Sequence, residues 1–246
     1  MTGLDDNGAA VGDGEAPAAT GAVEHANSGH RKRLRSRFLD SGDDALSDHE
    51  LLEVLLFGAI PRRDVKPLAK ALIKRFGTLG GVLNAEAGQL ERSAGLSRTQ
   101  AAQVKIVAAC TRRMLREDYQ GKPILSNWQA VINYLALSMQ YLETEEFRVI
   151  YLNKKLRVIL DECQQKGTVD HAPVYPREVA RRSLELNASS VLLVHNHPSG
   201  DPKPSTADIE MTRVVARALK TVEVHLHDHV IIARNGYNSL KAMGLI

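Results

Sequence analysis

His195-Asn196-His197-Pro198-Ser199-Gly200-Asp201-Pro202-Lys203-Pro204-Ser205-Thr206-Ala207-Asp208 is the stretch on which the reading of this chain turns. The apolar run just before it, residues 191–194, reads as a buried strand. Side chains two apart on a strand share a face, so His195 and His197 project together. Ser205 is placed to cap a following helix, which sets Asp208 in that helix's first turn. Pro198, Gly200, Pro202 and Pro204 suit a stiff loop that brings the turn back over the strand end. Two imidazoles and one carboxylate then form a three-ligand zinc set with an open fourth position, the pattern of catalytic sites, since structural zinc is normally closed by four protein ligands. Zinc held in this way lowers the pKa of its water to about 7 and produces hydroxide at neutral pH.

Such a site still needs a base that takes the proton from water and returns it to the leaving amine. It should be a carboxylate that is not itself a ligand. Glu145 and Glu146 lie where a helix ending near Tyr141 gives way to a strand over residues 147–152, and either can serve if that strand neighbours residues 191–194. Ser205 has a second role open to it, donating to the oxyanion of a tetrahedral intermediate.

Outward from this stretch the second half alternates helix and strand. Strands are expected over 147–152, 156–160, 191–194, 222–226 and 230–232. Ser126 reads as the start of a capping box for a helix to about Tyr141. Pro176 opens a helix to about Asn187, and a further helix runs from Ser205 to about Lys220. The first half reads as helical over residues 30–116. Within it Gly95-Leu96-Ser97 separates two helices, and Ser97 can cap the second. The arrangement resembles a helix-hairpin-helix, whose Gly-apolar-Gly turn holds a nucleic-acid phosphate; here the second glycine is replaced by Ser97. Residues 117–124, polar with Gly121 and Pro123, read as a linker.

Residues 1–29 carry five acids and no Lys or Arg, so the remainder is more basic than the net charge of +3 suggests. Their near-absence of large apolar side chains reads as a disordered tail. Hydrophobic residues make up 43% and charged residues 25%, which suits a globular protein with a sizeable core. No apolar run is long enough to span a bilayer and no secretory signal pattern is apparent. The two cysteines, Cys110 and Cys163, form no C-x-x-C pair, so a reducing, cytoplasmic setting is expected without membrane association.

His-x-His-Pro, six residues, Ser, two residues, Asp is the JAMM signature, and it is matched by His195, His197, Pro198, Ser205 and Asp208. The chain therefore resembles the MPN-domain metalloproteases. Pro176-Arg177-Glu178, His195 to Asp201 and Asp228-His229-Val230-Ile231-Ile232 narrow the resemblance to the bacterial RadC family (UPF0758 type). His30-Arg31-Lys32-Arg33-Leu34 and Ala59-Ile60-Pro61-Arg62-Arg63-Asp64 extend it into the helical half. One departure is Tyr175, where relatives usually carry histidine.

The resemblance implies an α+β fold: a small helix-hairpin-helix-like domain over 30–116, then an MPN/JAMM domain over 125–246 with a mixed sheet flanked by helices. It implies that His195, His197 and Asp208 hold Zn2+, that Ser205 is the oxyanion serine, and that the glutamate falls at Glu145 or Glu146. Glu145, two before the strand phenylalanine, is the favoured of the two. The expected activity is a zinc metallopeptidase acting on a peptide or isopeptide bond of a protein or peptide substrate. The alternative is a DNA-associated protein, related to repair or recombination, whose helical domain docks nucleic acid while the metal domain is accessory.

His225, His227 and His229 alternate at strand spacing. They are read as exposed or supporting residues of the last strands, one of them anchored by Asp228, with a second metal site as the alternative. His171 is read as a loop residue.

Overall fold

The computed structural model describes residues 19–167 and 174–246. Residues 1–18, most of the segment read as a tail, and His171 lie outside them. The chain divides into two compact units, Met1–Lys70 and Ala71–Ile246.

In the first unit α1 (Ala19–Ser41) packs against α2 (Asp48–Ala59). Helix α1 takes in the end of the segment read as a tail. Ser47 and Glu50 form a capping box that starts α2. At its far end, where backbone carbonyls lack helical partners, the Arg31 guanidinium donates to the carbonyls of Phe57, Ile60 and Arg63 at 2.6–3.2 Å. The Glu53 carboxylate is fully buried and meets His30 Nε2 at 2.8 Å.

After α3 (Lys66–Phe76), the second unit contains α4 (Leu79–Asn84), α5 (Ala87–Ala94), α6 (Arg98–Tyr119) and α7 (Trp128–Met139). Gly95 takes a left-handed conformation (φ 62°) that ends α5. Ser97 then caps α6, its Oγ accepting from the Gln100 N–H. The box expected at Ser126 does not form. Ser126 Oγ donates instead to the Pro123 carbonyl within a short 3-10 turn, and Asn127 precedes α7. Tyr119 and Ile124, from the stretch read as a linker, are both fully buried.

The remaining elements are β1 (Glu146–Leu152), β2 (Val158–Lys166), α8 (Pro176–Glu185), β3 (Ser190–Asn196), α9 (Thr206–Lys220), β4 (His225–Ala233) and β5 (Gly236–Ser239). They form a five-stranded sheet in the order β2-β1-β3-β4-β5, with β3 and β4 parallel and the other pairs antiparallel. Helix α9 is the crossover that a parallel pair requires. Every residue of β3 is buried, as its continuous apolar run demands of a strand covered on both faces.

Alternation along the strands sorts the core in two. Ile150, Leu152, Leu192, Val194, Val230 and Ile232 pack with α7 on one face. Phe147, Val149, Leu193, Val179, Val215 and Leu219 pack with α8 and α9 on the other. The two strands expected over 222–226 and 230–232 are one strand, β4, and β5 was not anticipated. The polar stretch His225 to His229 does not break β4 because Asp228 is satisfied internally. Its carboxylate accepts from Ser239 Oγ, the Lys241 N–H and the His229 N–H. Asp228 thus ties β4 to β5 and, among the described residues, anchors no imidazole. No helix among the described residues is long and apolar enough to cross a membrane.

Candidate metal centre

The site forms where β3 ends. His195, 4% exposed, is the last histidine-bearing position inside the strand, and it lies on the α9 face with Leu193 and Phe147. His197 follows as the chain leaves the sheet, its N–H bonded to the Ile232 carbonyl at 2.9 Å. The loop then reverses. Gly200, at φ +92°, adopts a conformation that L side chains rarely tolerate. Its N–H returns to the His197 carbonyl and its own carbonyl accepts from Asn235 N–H. Asn238 Nδ2 holds the Pro202 carbonyl at 3.1 Å. The β4–β5 turn therefore fixes the loop that the proline spacing predicted would fold back.

Ser205 is the N-cap of α9 and Asp208 its N3 residue, joined in a reciprocal capping box. Ser205 Oγ accepts from the Asp208 N–H at 3.1 Å and donates to Asp208 Oδ2 at 2.6 Å. The cap aims the carboxylate at the histidines. Asp208 Oδ1 lies 3.3 Å from His195 Nε2, and Oδ2 lies 3.4 Å from His197 Nε2. The two Nε2 atoms are 2.9 Å apart. Ligands on tetrahedral zinc at bonds of about 2.0–2.1 Å stand roughly 3.4 Å from one another, so this cluster is already near that spacing. His195, His197 and Asp208 are the group among the described residues that could hold a metal ion; His225, His227 and His229 make no second one.

The donor set is matched to a cation. His197 Nδ1 lies 2.9 Å from the Asp201 carbonyl, which can only accept, so the proton of that ring points outward and Nε2 inward. Inward-facing nitrogens 2.9 Å apart beside a carboxylate repel unless a proton or a metal lies among them. The hydrogen bond to Asp208 raises the His197 pKa against the opposing effect of burial, and the charge of Glu145 adds to the rise. Burial alone would raise the Asp208 pKa, but the neighbouring His195 and His197 rings and the Ser205 hydroxyl outweigh it and hold the carboxyl well below the usual range. It is ionised, as a ligand must be.

The two candidate bases part company here. Phe147 stacks toward His195 (ring centroids 6.5 Å), so the α9 face of β1 carries Phe147. Glu145, two residues earlier and half-buried, leads into that face, and its charge is felt at His197. Glu146 is on the other face. Its carboxylate accepts from Arg148 Nε at 2.8 Å, and the same guanidinium reaches Asp161 at 2.8 Å, which in turn accepts from the Tyr134 hydroxyl.

Sequence reasoning read His225, His227 and His229 together as exposed or supporting residues, and one of them stands behind the site. His229 is fully buried, its Nε2 2.8 Å from His195 Nδ1 and its Nδ1 2.6 Å from Thr212 Oγ1. Burial pushes its pKa well below the ordinary histidine value, so it is a neutral ring between a candidate ligand and α9. The alternating histidines were a signal, but nothing in the spacing said which one turns inward.

Residues 125–245 match the RadC-like JAB domain, and residues 27–102 match the UPF0758 N-terminal family. The chain belongs to the RadC family. JAB/MPN domains of this kind are generally hydrolytic and typically bind zinc, and the histidine–aspartate cluster of this RadC-family protein falls inside the matched JAB region.

Proposed function

We propose that this RadC-family protein is a zinc-dependent hydrolase of peptide or isopeptide bonds. The observation that carries the reading is the convergence of His195 Nε2, His197 Nε2 and the Asp208 carboxylate at spacings of 2.9–3.4 Å at the open end of β3. Bound zinc supplies a Lewis acid and activates water at neutral pH. The chain's own groups supply the rest. Glu145, on the approach to the His195 face, takes a proton from water and delivers it to the leaving amine. Ser205 Oγ, whose hydrogen rests on Asp208 Oδ2, turns that hydrogen to the substrate oxyanion. The loop fastened to the β4–β5 turn keeps the histidines from rearranging, so little ordering is left to the reaction itself. Glu146 holds the α7 face of β1 through Arg148. Chelation is expected to abolish hydrolysis of a mixed peptide and isopeptide substrate panel, and stoichiometric zinc to restore it. Hydrolysis that survives complete removal of metal would overturn the reading.

A second reading has its own observation. In the first unit Arg31, Lys32, Arg35 and Arg62 line one cavity of about 540 Å³ with Phe57, and among the described residues no acidic side chain contributes to the lining. Arg31 is spent on the carbonyls at the end of α2, which leaves Lys32, Arg35 and Arg62 for an anion. The RadC-like family is associated with DNA repair. Under this reading duplex DNA binds with an affinity that falls steeply with salt, as phosphate contacts require. Replacing Lys32, Arg35 and Arg62 together by Gln flattens that slope by about three contacts, at roughly 0.9 per phosphate. Affinity unaffected by salt, or by the triple replacement, counts against it.

A further inference from the structure

His195, the candidate ligand on β3, is linked to Asp208, the candidate ligand on α9, by a second route that passes behind the site. We infer that the buried chain Asp208 carbonyl–Thr212–His229–His195 fixes the proton of His195 on Nδ1 and thereby keeps Nε2 free as a metal ligand. His229 and Thr212 are positioning residues in this account, and it rests on the zinc reading above.

The Asp208 backbone carbonyl can only accept. Thr212 Oγ1 lies within hydrogen-bond distance of it, one helical turn on, and has a single hydrogen to give. That hydrogen goes to the carbonyl, so Thr212 Oγ1 must accept from its other neighbour, His229 Nδ1, 2.6 Å away. His229 therefore carries its proton on Nδ1 and presents a lone pair at Nε2. The atom 2.8 Å from that lone pair is His195 Nδ1, which must donate. His195 is then the Nδ1–H tautomer, and its Nε2 lone pair faces Asp208 and His197.

Each link is out of water. Thr212 and His229 are fully buried and His195 is 4% exposed, so no solvent molecule replaces a missing partner at His229. Both ring nitrogens of His229 are occupied, and Phe147 lies edge-on to the ring at 6.0 Å. The direction of the whole chain is set at its far end, by a carbonyl that α9 cannot turn around. His197 reaches the same tautomer by a shorter route, its Nδ1 held by the Asp201 carbonyl. A partner on the remote ring nitrogen of a ligating histidine is the common means of fixing tautomer and orientation. Here that partner is a second histidine, and only a hydroxyl beyond it gives the histidine a direction.

The test is Thr212→Val, which keeps shape and removes the hydroxyl. His229 Nδ1–H would then face a methyl group, and the ring relieves this by moving its proton to Nε2. That proton now points at His195 Nδ1, and His195 must shift its own proton to Nε2. In metal-free protein, long-range proton–nitrogen NMR is expected to show His195 as Nδ1–H in the wild type and as Nε2–H in Thr212→Val. Zinc affinity, measured by chelator competition, is expected to fall about 10–100-fold in Thr212→Val. Thr212→Ser, with the hydroxyl restored, is expected to recover both.

An Nε2–H tautomer for His195 in the wild type overturns the inference, whatever the variants do. So does a folded Thr212→Val whose His195 tautomer and zinc affinity match the wild type. The tautomer is read without metal, so a wild type that shows the Nδ1–H form but binds no zinc would refute the zinc reading and not the hydrogen-bond chain.

Discussion

Alanine at both His195 and His197 is expected to leave the protein without stoichiometric zinc while the sheet stays folded. Altering groups that merely support a ligand costs about 10–100-fold in metal affinity. Removing two of three direct ligands therefore costs more than that, and Asp208 alone, held by its own capping box, is a weak site. The fold should survive because neither ring belongs to the apolar layers between the sheet and α7 and between the sheet and α8–α9, although His195 borders the second of these at Phe147. The local cost is real. His229 Nε2 loses its donor in a fully buried position, which is worth about 1–3 kcal/mol. Elemental analysis of the purified variant, beside a urea melt, reads both effects. Stoichiometric zinc retained by the folded double variant would sink the ligand assignment.

Glu145→Gln and Glu146→Gln are expected to fail in opposite ways. Loss of a general base lowers turnover by about 10²–10⁴-fold. Glu145→Gln should show that loss with its zinc content and melting unchanged, because among the described residues the half-buried carboxylate holds no other element in place. Glu146→Gln should keep turnover near wild type and lose stability instead. Its carboxylate is one of two that neutralise the largely buried Arg148 guanidinium, and weakening such a pair costs about 1–3 kcal/mol. Substrate turnover, metal content and denaturant melts of the two variants separate the roles. The reverse pattern, with Glu146→Gln inactive and Glu145→Gln active, would transfer the base to the α7 face and contradict the placement of the site.

Much of this arrangement was legible from local rules. The three candidate ligands fall within fourteen residues, and both devices that aim them are short-range: strand alternation for His195 and a helix cap for Asp208. Ser205 and Asp208 stand at the offset a capping box needs, and the box forms. Ser97, likewise three residues before its Gln100 partner, caps α6 as expected. Ser126 carried the same signal and failed: it lies inside the 3-10 turn that precedes α7, and its hydroxyl donates to the Pro123 carbonyl. Local capping chemistry holds where no competing acceptor lies close.

The division between the two glutamates was not legible, since it depends on which face of β1 meets the site. The pairing of Phe147 with His195 across β1 and β3 decides that, and two strands nearly fifty residues apart are paired only by the packed sheet. His229 is the sharper case. Simple alternation would place Leu226, Asp228 and Val230 on one face and the three histidines on the other. The register of β4 against β3 instead runs from Val191–Leu226 directly to Leu192–Asp228, so His227 is an extra residue at a bulge. Leu226 consequently packs toward α8 and α9, Val230 packs toward α7, and His229 turns toward α9.

The sequence by itself determined the family, the alternation of helix and strand, and a compact group of metal-ligand residue types. These depend on spacing along the chain, which is the same before and after folding. Only the tertiary structure decided which glutamate approaches the His195 face and which histidine stands behind His195. Both depend on strand register and on one bulge, and a shift of a single residue in either sends a side chain to the opposite face of the sheet.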